Sequence, residues 1–314
     1  MRLPLVPLLL AAACAGSRPV PADAPCGSVM VDPAVLRAHV EALSTRFAPR
    51  DFAHPENLDR AAAWLRDAFR AGGAPVREQQ FQVDGRTYRN LIAGIGPMTP
   101  ARIIVGAHYD SAGEQPGADD NASGVAGVIE LVRLLHAAPP PLRVELAAWT
   151  LEEPPNFRTR HMGSAVHAAR LARERTRIRL MIAVEMIGAF SDAPGSQSYP
   201  KVLGLFHPST ANFIAVVGKW GQGDSIGEVA EALRVGSPLP VEKLTAPAFV
   251  TGVDFSDHLS FWAHGYPAVM VTDTAFLRNP RYHTEDDRPE TLDYVRMAEV
   301  VKGLSCAVQT VARR

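Results

Sequence analysis

Short apolar runs and longer amphipathic stretches alternate along the chain from about residue 89 to residue 273. The apolar runs, rich in β-branched residues, lie at 89–95, 102–108, 143–150, 178–186, 201–206 and 267–273. Amphipathic stretches lie at about 122–137, 161–174, 209–220 and 256–264, and a last one begins near residue 291. Buried strands that alternate with helices are typical of a mostly parallel sheet covered on both faces. The pattern therefore predicts an α/β fold of three layers, α-β-α, around a mostly parallel, mixed central sheet.

Two helices are expected before the first of these strands. Asp32 followed by Pro33 forms an N-cap and first-turn pair at the start of AVLRAHVEAL. A second helix over about 57–71 ends at a Gly-Gly pair. Its apolar face consists of Leu58, Ala62, Leu65 and Phe69. No later stretch is typical of an interdomain linker, so we expect a single domain over residues 32–314.

The first 31 residues differ in character from the rest of the chain. Residues 1–15 contain a short apolar run that ends in small residues, which is typical of an export signal and too short to span a bilayer. Residues 16–31 are rich in Pro, Ala, Gly and Ser and indicate a linker. LLLAAACAG around Cys14 is similar to a bacterial lipoprotein acylation site, although Ala11 stands where that motif usually has Leu. We expect an exported protein that is periplasmic, secreted, or an outer-membrane lipoprotein anchored at Cys14.

The three cysteines agree with an oxidising compartment. If Cys14 is acylated, Cys26 and Cys306 remain, one near each end of the domain. A disulfide between them would tie the N-terminal segment to the last helix. None of the three lies in a CxxC motif, so we expect structural roles for them rather than catalytic ones.

Composition and charge exclude some classes of partner. The formal net charge is -1, with 47% hydrophobic and 21% charged residues. A balanced charge gives no electrostatic attraction for nucleic acid or for an anionic membrane surface. We therefore expect neither nucleic-acid binding nor a transmembrane helix.

Residue types that bind metals follow several of the predicted strands. The motif GAHYDS ends a strand in His108, and Asp110 can lie close enough to orient the imidazole. The motif PGADDNASG brings Asp119 and Asp120 to the start of a helix, where helix capping is the alternative role. Backbone hydrogen bonding is the alternative for the histidine. Each motif alone is a weak signal.

Three further motifs bring acidic residues and a histidine toward the same edge of the sheet. After the next strand come Glu152 and Glu153, of which one can bind a metal while the other accepts a proton from water. Glu185 interrupts an apolar strand, where a buried carboxylate needs a metal or a basic partner. His283 lies in the polar loop before the last helix, where simple solvation is the alternative. The carboxyl ends of strands meet in such sheets, so the set predicts a binuclear metal centre and metal-assisted hydrolysis.

The ordered motifs GAHYDS, GADDNASG, a Glu-Glu pair, an acidic strand end before Met-Ile-Gly, and YHTEDD resemble the co-catalytic zinc aminopeptidases. The wider family includes glutamate carboxypeptidase and the glutaminyl cyclases. The resemblance covers roughly residues 35–310 and implies that the single domain is a zinc-peptidase catalytic domain. It implies two Zn²⁺ ions bridged by Asp120. Glu153 and His283 would complete the ligands of one ion, and His108 and Glu185 those of the other.

The same resemblance implies roles for neighbouring groups. Glu152 would be the general base, and Asp110 would orient the histidine at the strand end. The Asp120–Asn121 peptide bond would be cis. Relatives usually have Asp where this chain has Glu185, and this departure puts ligation of the second ion by Glu185 in question.

The activity implied is hydrolysis of the peptide bond next to a free N-terminus, with a peptide as partner. A glutaminyl cyclase, which closes an N-terminal Gln and releases ammonia, is one alternative, and a non-catalytic ectodomain on this fold is another. The retained base and the ligands for two ions argue against both. The pocket for the substrate side chain is expected within 190–260, where residue spacing carries no code. In that region we assign His258 and Asp257 of FSDHLSFW to packing or to support of the ligands.

Overall fold

One mixed sheet forms the centre of the protein. The computed structural model describes residues 26, 29–199, 204 and 207–314. Within them, eight strands pair in the order β1-β2-β4-β3-β5-β8-β6-β7. The strands are β1 Val76–Val83, β2 Arg86–Ile95, β3 Ala101–His108, β4 Arg143–Trp149, β5 Arg177–Glu185, β6 Ile214–Lys219, β7 Val241–Ala246 and β8 Ala268–Thr272. The pairs β3–β4, β3–β5, β5–β8 and β6–β7 are parallel, whereas β1–β2, β2–β4 and β6–β8 are antiparallel.

Helices cover both faces of this sheet. The helices are α1 Pro33–Glu41, α2 Pro55–Ala71, α3 Gly124–Ala137, α4 Gly163–Arg173, α5 Gly223–Gly236, α6 His258–Trp262 and α7 Tyr294–Ala312. The larger hydrophobic core joins one face of the sheet to α1, α2, α3, α5 and α7. A smaller core joins the opposite face to α4 and α6. The predicted three-layer α/β fold is confirmed.

The helix signals read from the N-terminal sequence are confirmed. The Asp32 side chain accepts a hydrogen bond of 2.8 Å from the Ala34 backbone N–H at the start of α1. The predicted apolar face of α2 is buried, and α2 begins two residues earlier than predicted, at Pro55. The chain leaves α2 through Gly73 at a φ of 96°, a left-handed conformation that favours glycine.

The helix predicted at 209–220 is wrong. Residues 214–219 form β6, a short strand that is almost completely buried. A run of six residues is too short for helical and strand periodicity to be distinguished. The chain after β6 forms α5 and β7, which were not predicted from the sequence, and β1 was also missed. The strand predicted at 201–206 lies outside the described residues except for Gly204.

The Cys26–Cys306 disulfide is formed, and it joins the start of the described chain to α7 as predicted. The predicted export signal at 1–15, with Cys14, and most of the predicted linker lie outside the described residues. Within the part of the chain that the structure describes, no helix has both the length and the apolar character needed to cross a membrane.

Candidate metal centre

Three neighbouring parallel strands deliver polar side chains to one edge of the sheet. His108 is the last residue of β3, and Glu185 is the last residue of β5. Glu152 and Glu153 follow shortly after the end of β4. Because β4, β3 and β5 are adjacent, these four buried side chains meet at their common carboxyl end.

Two loops bring the remaining predicted ligands to the same place. Asp120 lies in the segment before α3, and His283 lies in the loop between β8 and α7. The Asp287 carboxylate accepts hydrogen bonds from the backbone N–H groups of Asp119, at 2.8 Å, and Asp120, at 3.0 Å, and so joins the two loops. The Gln115 side chain donates to the His283 carbonyl at 2.7 Å. The peptide bond between Asp120 and Asn121 is cis, as the resemblance implied.

Asp120 lies between two histidines and presents one carboxylate oxygen to each. Its Oδ1 is 3.3 Å from His108 Nε2, and its Oδ2 is 3.0 Å from His283 Nε2. Glu185 Oε2 lies 3.4 Å from His108 Nε2, and Glu153 Oε1 lies 3.4 Å from His283 Nε2. The structure therefore brings all five predicted ligands together as two groups of three that share Asp120, and in each group the ligand atoms lie within 4.8 Å of one another.

The residues suit a bound zinc ion. His283 Nε2 and Glu153 Oε1 are buried, yet neither makes a hydrogen bond of acceptable geometry with the other described residues. Buried polar atoms almost always have partners, and a cation bound between these two atoms, which lie 3.4 Å apart, would provide a partner for both. Imidazole nitrogens and carboxylate oxygens are ligand types that Zn²⁺ binds.

The electrostatics of the centre show an excess of negative charge. Burial and, to a smaller extent, the neighbouring Asp120 carboxylate together raise the pKa of Glu153 to about 7. Burial also raises the pKa of Glu152 well above its usual range. The pKa of Asp120 is lowered because its interactions with His108 and His283 outweigh the effect of burial. Carboxylates crowded in this way are stabilised by a cation placed among them.

Asp110 positions the turn that carries Glu152 and Glu153. Its two carboxylate oxygens accept hydrogen bonds from the Glu152 N–H at 3.1 Å and the Glu153 N–H at 3.0 Å. His108 Nδ1 lies 3.2 Å from the Asp110 backbone carbonyl oxygen and 3.6 Å from the Asp110 carboxylate. In this structure Asp110 therefore orients the imidazole through its main chain, and its side chain holds the glutamate pair.

Sequence reasoning missed Arg50, which is completely buried behind the site. Its guanidinium donates hydrogen bonds to the carbonyls of Leu43, Tyr109, Pro116 and Gly117. Burial lowers the pKa of Arg50 to about 10, so the side chain remains a cation at neutral pH. Arg50 fixes both ends of the loop between β3 and the Asp120 segment. In the sequence, Arg50 is simply an arginine in the connection between two predicted helices, and nothing in its local pattern indicates this role.

Two further supporting residues, Asn121 and Ser256, were also missed. The Asn121 amide donates to the Val184 carbonyl at 2.9 Å and accepts from the Met186 N–H at 3.0 Å. Ser256 Oγ donates to Glu185 Oε2 at 2.6 Å. These contacts clamp the end of β5 and orient its terminal carboxylate. These contacts join positions more than 60 residues apart in the sequence, so no local motif indicates them.

The backbone is strained beside three of the candidate groups. Leu151, directly before the glutamate pair, has a φ of 60°, Met186 has a φ of 49°, and His283 has a φ of 55°. Residues other than glycine rarely adopt the left-handed region, and such residues cluster at functional sites.

His258 behaves as a packing residue, as assigned: it is buried, its Nε2 lies 2.8 Å from the Val253 carbonyl, and burial lowers its pKa to about 4.

The candidate groups line one pocket of about 210 Å³. Pro154, Phe157, Phe255 and Tyr282 complete its wall. The Tyr282 ring stacks on His283 with centroids 3.8 Å apart. Buried acidic and imidazole groups thus open into an aromatic-walled cavity that a ligand can enter.

Comparison with known proteins identifies the family. Residues 90–307 match peptidase family M28, which is more than half of the chain. The chain belongs to peptidase family M28. The uncharacterized protein YfbL of Escherichia coli K12 is 45% identical over 281 residues, which are 87% of this chain and 86% of YfbL. Leucine aminopeptidase 1 of Coccidioides posadasii is 25% identical over 262 residues, which are 76% of this chain and 61% of that protein.

Solved structures share the M28 fold. LapA aminopeptidase of Legionella pneumophila has a TM-score of 0.72 at 18% identity, covering 90% of this chain and 73% of its own. A glutaminyl cyclase of Bacteroides thetaiotaomicron has a TM-score of 0.69 at 18% identity, covering 90% of this chain and 98% of its own. These likenesses show the fold. Membership of the M28 family, together with the candidate ligand groups, supports zinc-dependent hydrolysis of peptide bonds as the reaction class.

Proposed function

We propose that this M28 peptidase is an aminopeptidase that removes N-terminal residues from peptides with a two-zinc centre. Asp120 would bridge the ions, His108 and Glu185 would hold one, and Glu153 and His283 would hold the other. The observation that carries this proposal is the Asp120 carboxylate, whose two oxygens face different histidines at 3.3 Å and 3.0 Å.

Glu152 is the general base in this proposal. Its Oε2 lies 3.9 Å from His108 Nε2, so the carboxylate borders the ligand groups, and Asp110 fixes its backbone. Bound zinc ions supply a Lewis acid for the scissile carbonyl and lower the pKa of water. Glu152 accepts the proton of the attacking water and delivers it to the nitrogen of the leaving amine. The same carboxyl group therefore acts first as a base and then as an acid.

The names of relatives support action at a free N-terminus, since several are leucine aminopeptidases. A glutaminyl cyclase remains the second candidate because such enzymes share the fold. The two complete ligand groups favour the peptidase.

A substrate panel tests the proposal. Purified protein is assayed with aminoacyl-nitroanilides, N-acetylated versions of the same compounds, dipeptides, and a peptide that begins with Gln. We expect release of free amino acids only from substrates with an unblocked amine, loss of that activity with a chelator, and recovery with zinc. Cleavage of the acetylated compounds, or ammonia as the main product from the Gln peptide, contradicts the proposal. Absence of any turnover and of bound zinc would indicate a non-catalytic ectodomain instead.

We also propose that the protein is exported, on the basis of the apolar leader at residues 1–15. The Cys26–Cys306 disulfide supports this because such bonds persist in oxidising compartments. Mass spectrometry of the mature N-terminus after expression in a bacterium separates the outcomes. An acylated Cys14 indicates a lipoprotein, an unmodified new N-terminus indicates a soluble exported form, and an intact Met1 contradicts export.

A further inference from the structure

A second, largely apolar pocket lies beside the metal centre and shares Glu185 and Phe255 with it. Its floor is the face of the sheet formed by β8, β6 and β7. The floor side chains are Met270, Thr272, Ala215, Val217, Leu244 and Glu242. The loops that contain Phe255 and Phe276 cover this floor, and their rings lie 6.0 Å apart. The pocket is therefore a covered trough that begins at a proposed zinc ligand.

The strand register shows where the trough ends. Glu185 of β5 pairs with Thr272 of β8, which pairs with Ala215 of β6, which pairs with Glu242 of β7. The four residues form one row across the sheet. Neighbouring strands lie about 4.8 Å apart, so the Cα atoms of the two glutamates at the ends of the row lie about 14 Å apart. An apolar trough thus has a carboxylate at each end.

Glu242 is available to a ligand. His207 Nδ1 lies 3.0 Å from Glu242 Oε2, and no hydrogen bond from any described residue reaches Oε1. The Glu242 side chain is 32% exposed, so the trough walls shield it only partly from solvent. Lys243 also borders the pocket, but alternation along β7 directs its exposed side chain to the opposite face of the sheet.

The length of the trough matches a basic amino acid. An extended lysine spans about 7.5 Å from its α-nitrogen to its side-chain nitrogen. Charge-assisted hydrogen bonds of about 2.8 Å at both nitrogens extend this to about 13 Å. That length is close to the spacing of the Glu185 and Glu242 Cα atoms, whose side chains leave the same face of the sheet. The methylene groups would lie against the apolar wall while the ammonium reaches the carboxylate. A leucine side chain would leave the Glu242 end unfilled.

We propose that this trough receives the first side chain of the peptide and that Glu242 selects lysine or arginine there. The inference rests on the proposed aminopeptidase function and names its substrate class. Glu242 acts as a specificity-determining residue: it contacts the substrate side chain and takes no part in the bond cleavage.

Kinetics with matched substrates test the inference. The native enzyme is assayed with nitroanilides of lysine, arginine, norleucine and leucine, where norleucine keeps the aliphatic stem of lysine and lacks its charge. We expect kcat/KM for lysine to exceed that for norleucine by about tenfold or more. In Glu242→Gln the ratio should fall to near one. In Glu231→Gln, which removes an exposed carboxylate from α5, the ratio should stay at its native value.

The outcomes separate this inference from the function on which it rests. If no aminoacyl substrate is cleaved, the proposed function fails and this inference fails with it. If leucine and norleucine are cleaved at least as well as lysine, or if Glu242→Gln keeps the native ratio, this inference alone fails. Inhibition of the native enzyme and of Glu242→Gln by free lysine and free norleucine measures the same preference without turnover.

Discussion

In one half of the sheet, β4, β3 and β5 run in parallel, and the polar residues that end β3 and β5 or follow β4 meet at a common edge. In the other half, β8, β6 and β7 present an apolar face that forms the floor of a trough. The first half contains buried carboxylates and histidines that require a cation or exact partners. The second half contains one partly exposed carboxylate at its far end. Glu185, at the end of β5, belongs to both.

We expect the two halves of the sheet to control different kinetic properties. Changes to the half that contains the candidate metal ligands, the ligand half, should alter the rate for every substrate by similar factors, because they act on the atoms where bonds break. Changes to the half that forms the trough floor, the trough half, should alter the ratio of rates between substrates, because they act on the bound substrate side chain.

Glu152→Gln should lower kcat by about 10²–10⁴-fold for lysyl and leucyl substrates alike, because it removes the group that transfers the proton. Zinc content should not change, since Glu152 is not among the proposed ligands. Steady-state kinetics and metal analysis on the same preparation check both statements. A loss confined to one substrate would break the division between the two halves.

Glu185→Ala should remove one of the two zinc ions and lower kcat/KM for all substrates, by about tenfold or more. Glu185→Asp keeps a carboxylate, as most relatives of the resembled family have there, and serves as the matched control. We expect Glu185→Asp to retain two ions. Zinc retained at two per chain in Glu185→Ala would exclude this residue as a ligand.

Asp110→Asn should lower kcat by about tenfold without removing zinc, because one of the two acceptors for the Glu152 and Glu153 N–H groups becomes a donor. The effect should be the same for lysyl and norleucyl substrates. Kinetics with the pair of substrates measures this. A changed ratio between them would mean that Asp110 also shapes the trough.

Cys306→Ser should leave kcat and selectivity unchanged, since the disulfide lies at α7, away from both halves of the site. It should lower the free energy of unfolding by about 2–5 kcal/mol, because the bond closes a very long loop. Thermal unfolding with and without a reductant checks this. The reductant should destabilise the native protein and have no effect on Cys306→Ser.

The ligand half could be predicted from the sequence because its signals are local. Runs such as RIIVGAH are apolar throughout and end in a metal-binding residue, so strand and ligand are read from the same few positions. In the trough half, no apolar run ends in a residue that marks a function. β6 was taken for part of a helix, and β7 has the mixed sequence VEKLTA of an edge strand. In contrast, α5 had a readable signal that was overlooked: Ile226, Val229, Ala230 and Leu233 are spaced for one helical face.

The supporting residues of the site were not predictable for a different reason. Arg50, Asn121 and Ser256 act through contacts with residues distant in the sequence, and an isolated Arg, Asn or Ser has no distinctive spacing. The proposed role of Glu242 was also not predictable from its local sequence. Its relation to Glu185 appears only through the register of four strands, two of which the sequence analysis did not identify.

The most direct test of the central claim is a crystal structure of the zinc-loaded protein with anomalous data collected on both sides of the zinc absorption edge. Our account predicts two zinc peaks about 3.5–4 Å apart, with one Asp120 oxygen bound to each. One peak at full zinc loading, or two peaks that do not share Asp120, would contradict it.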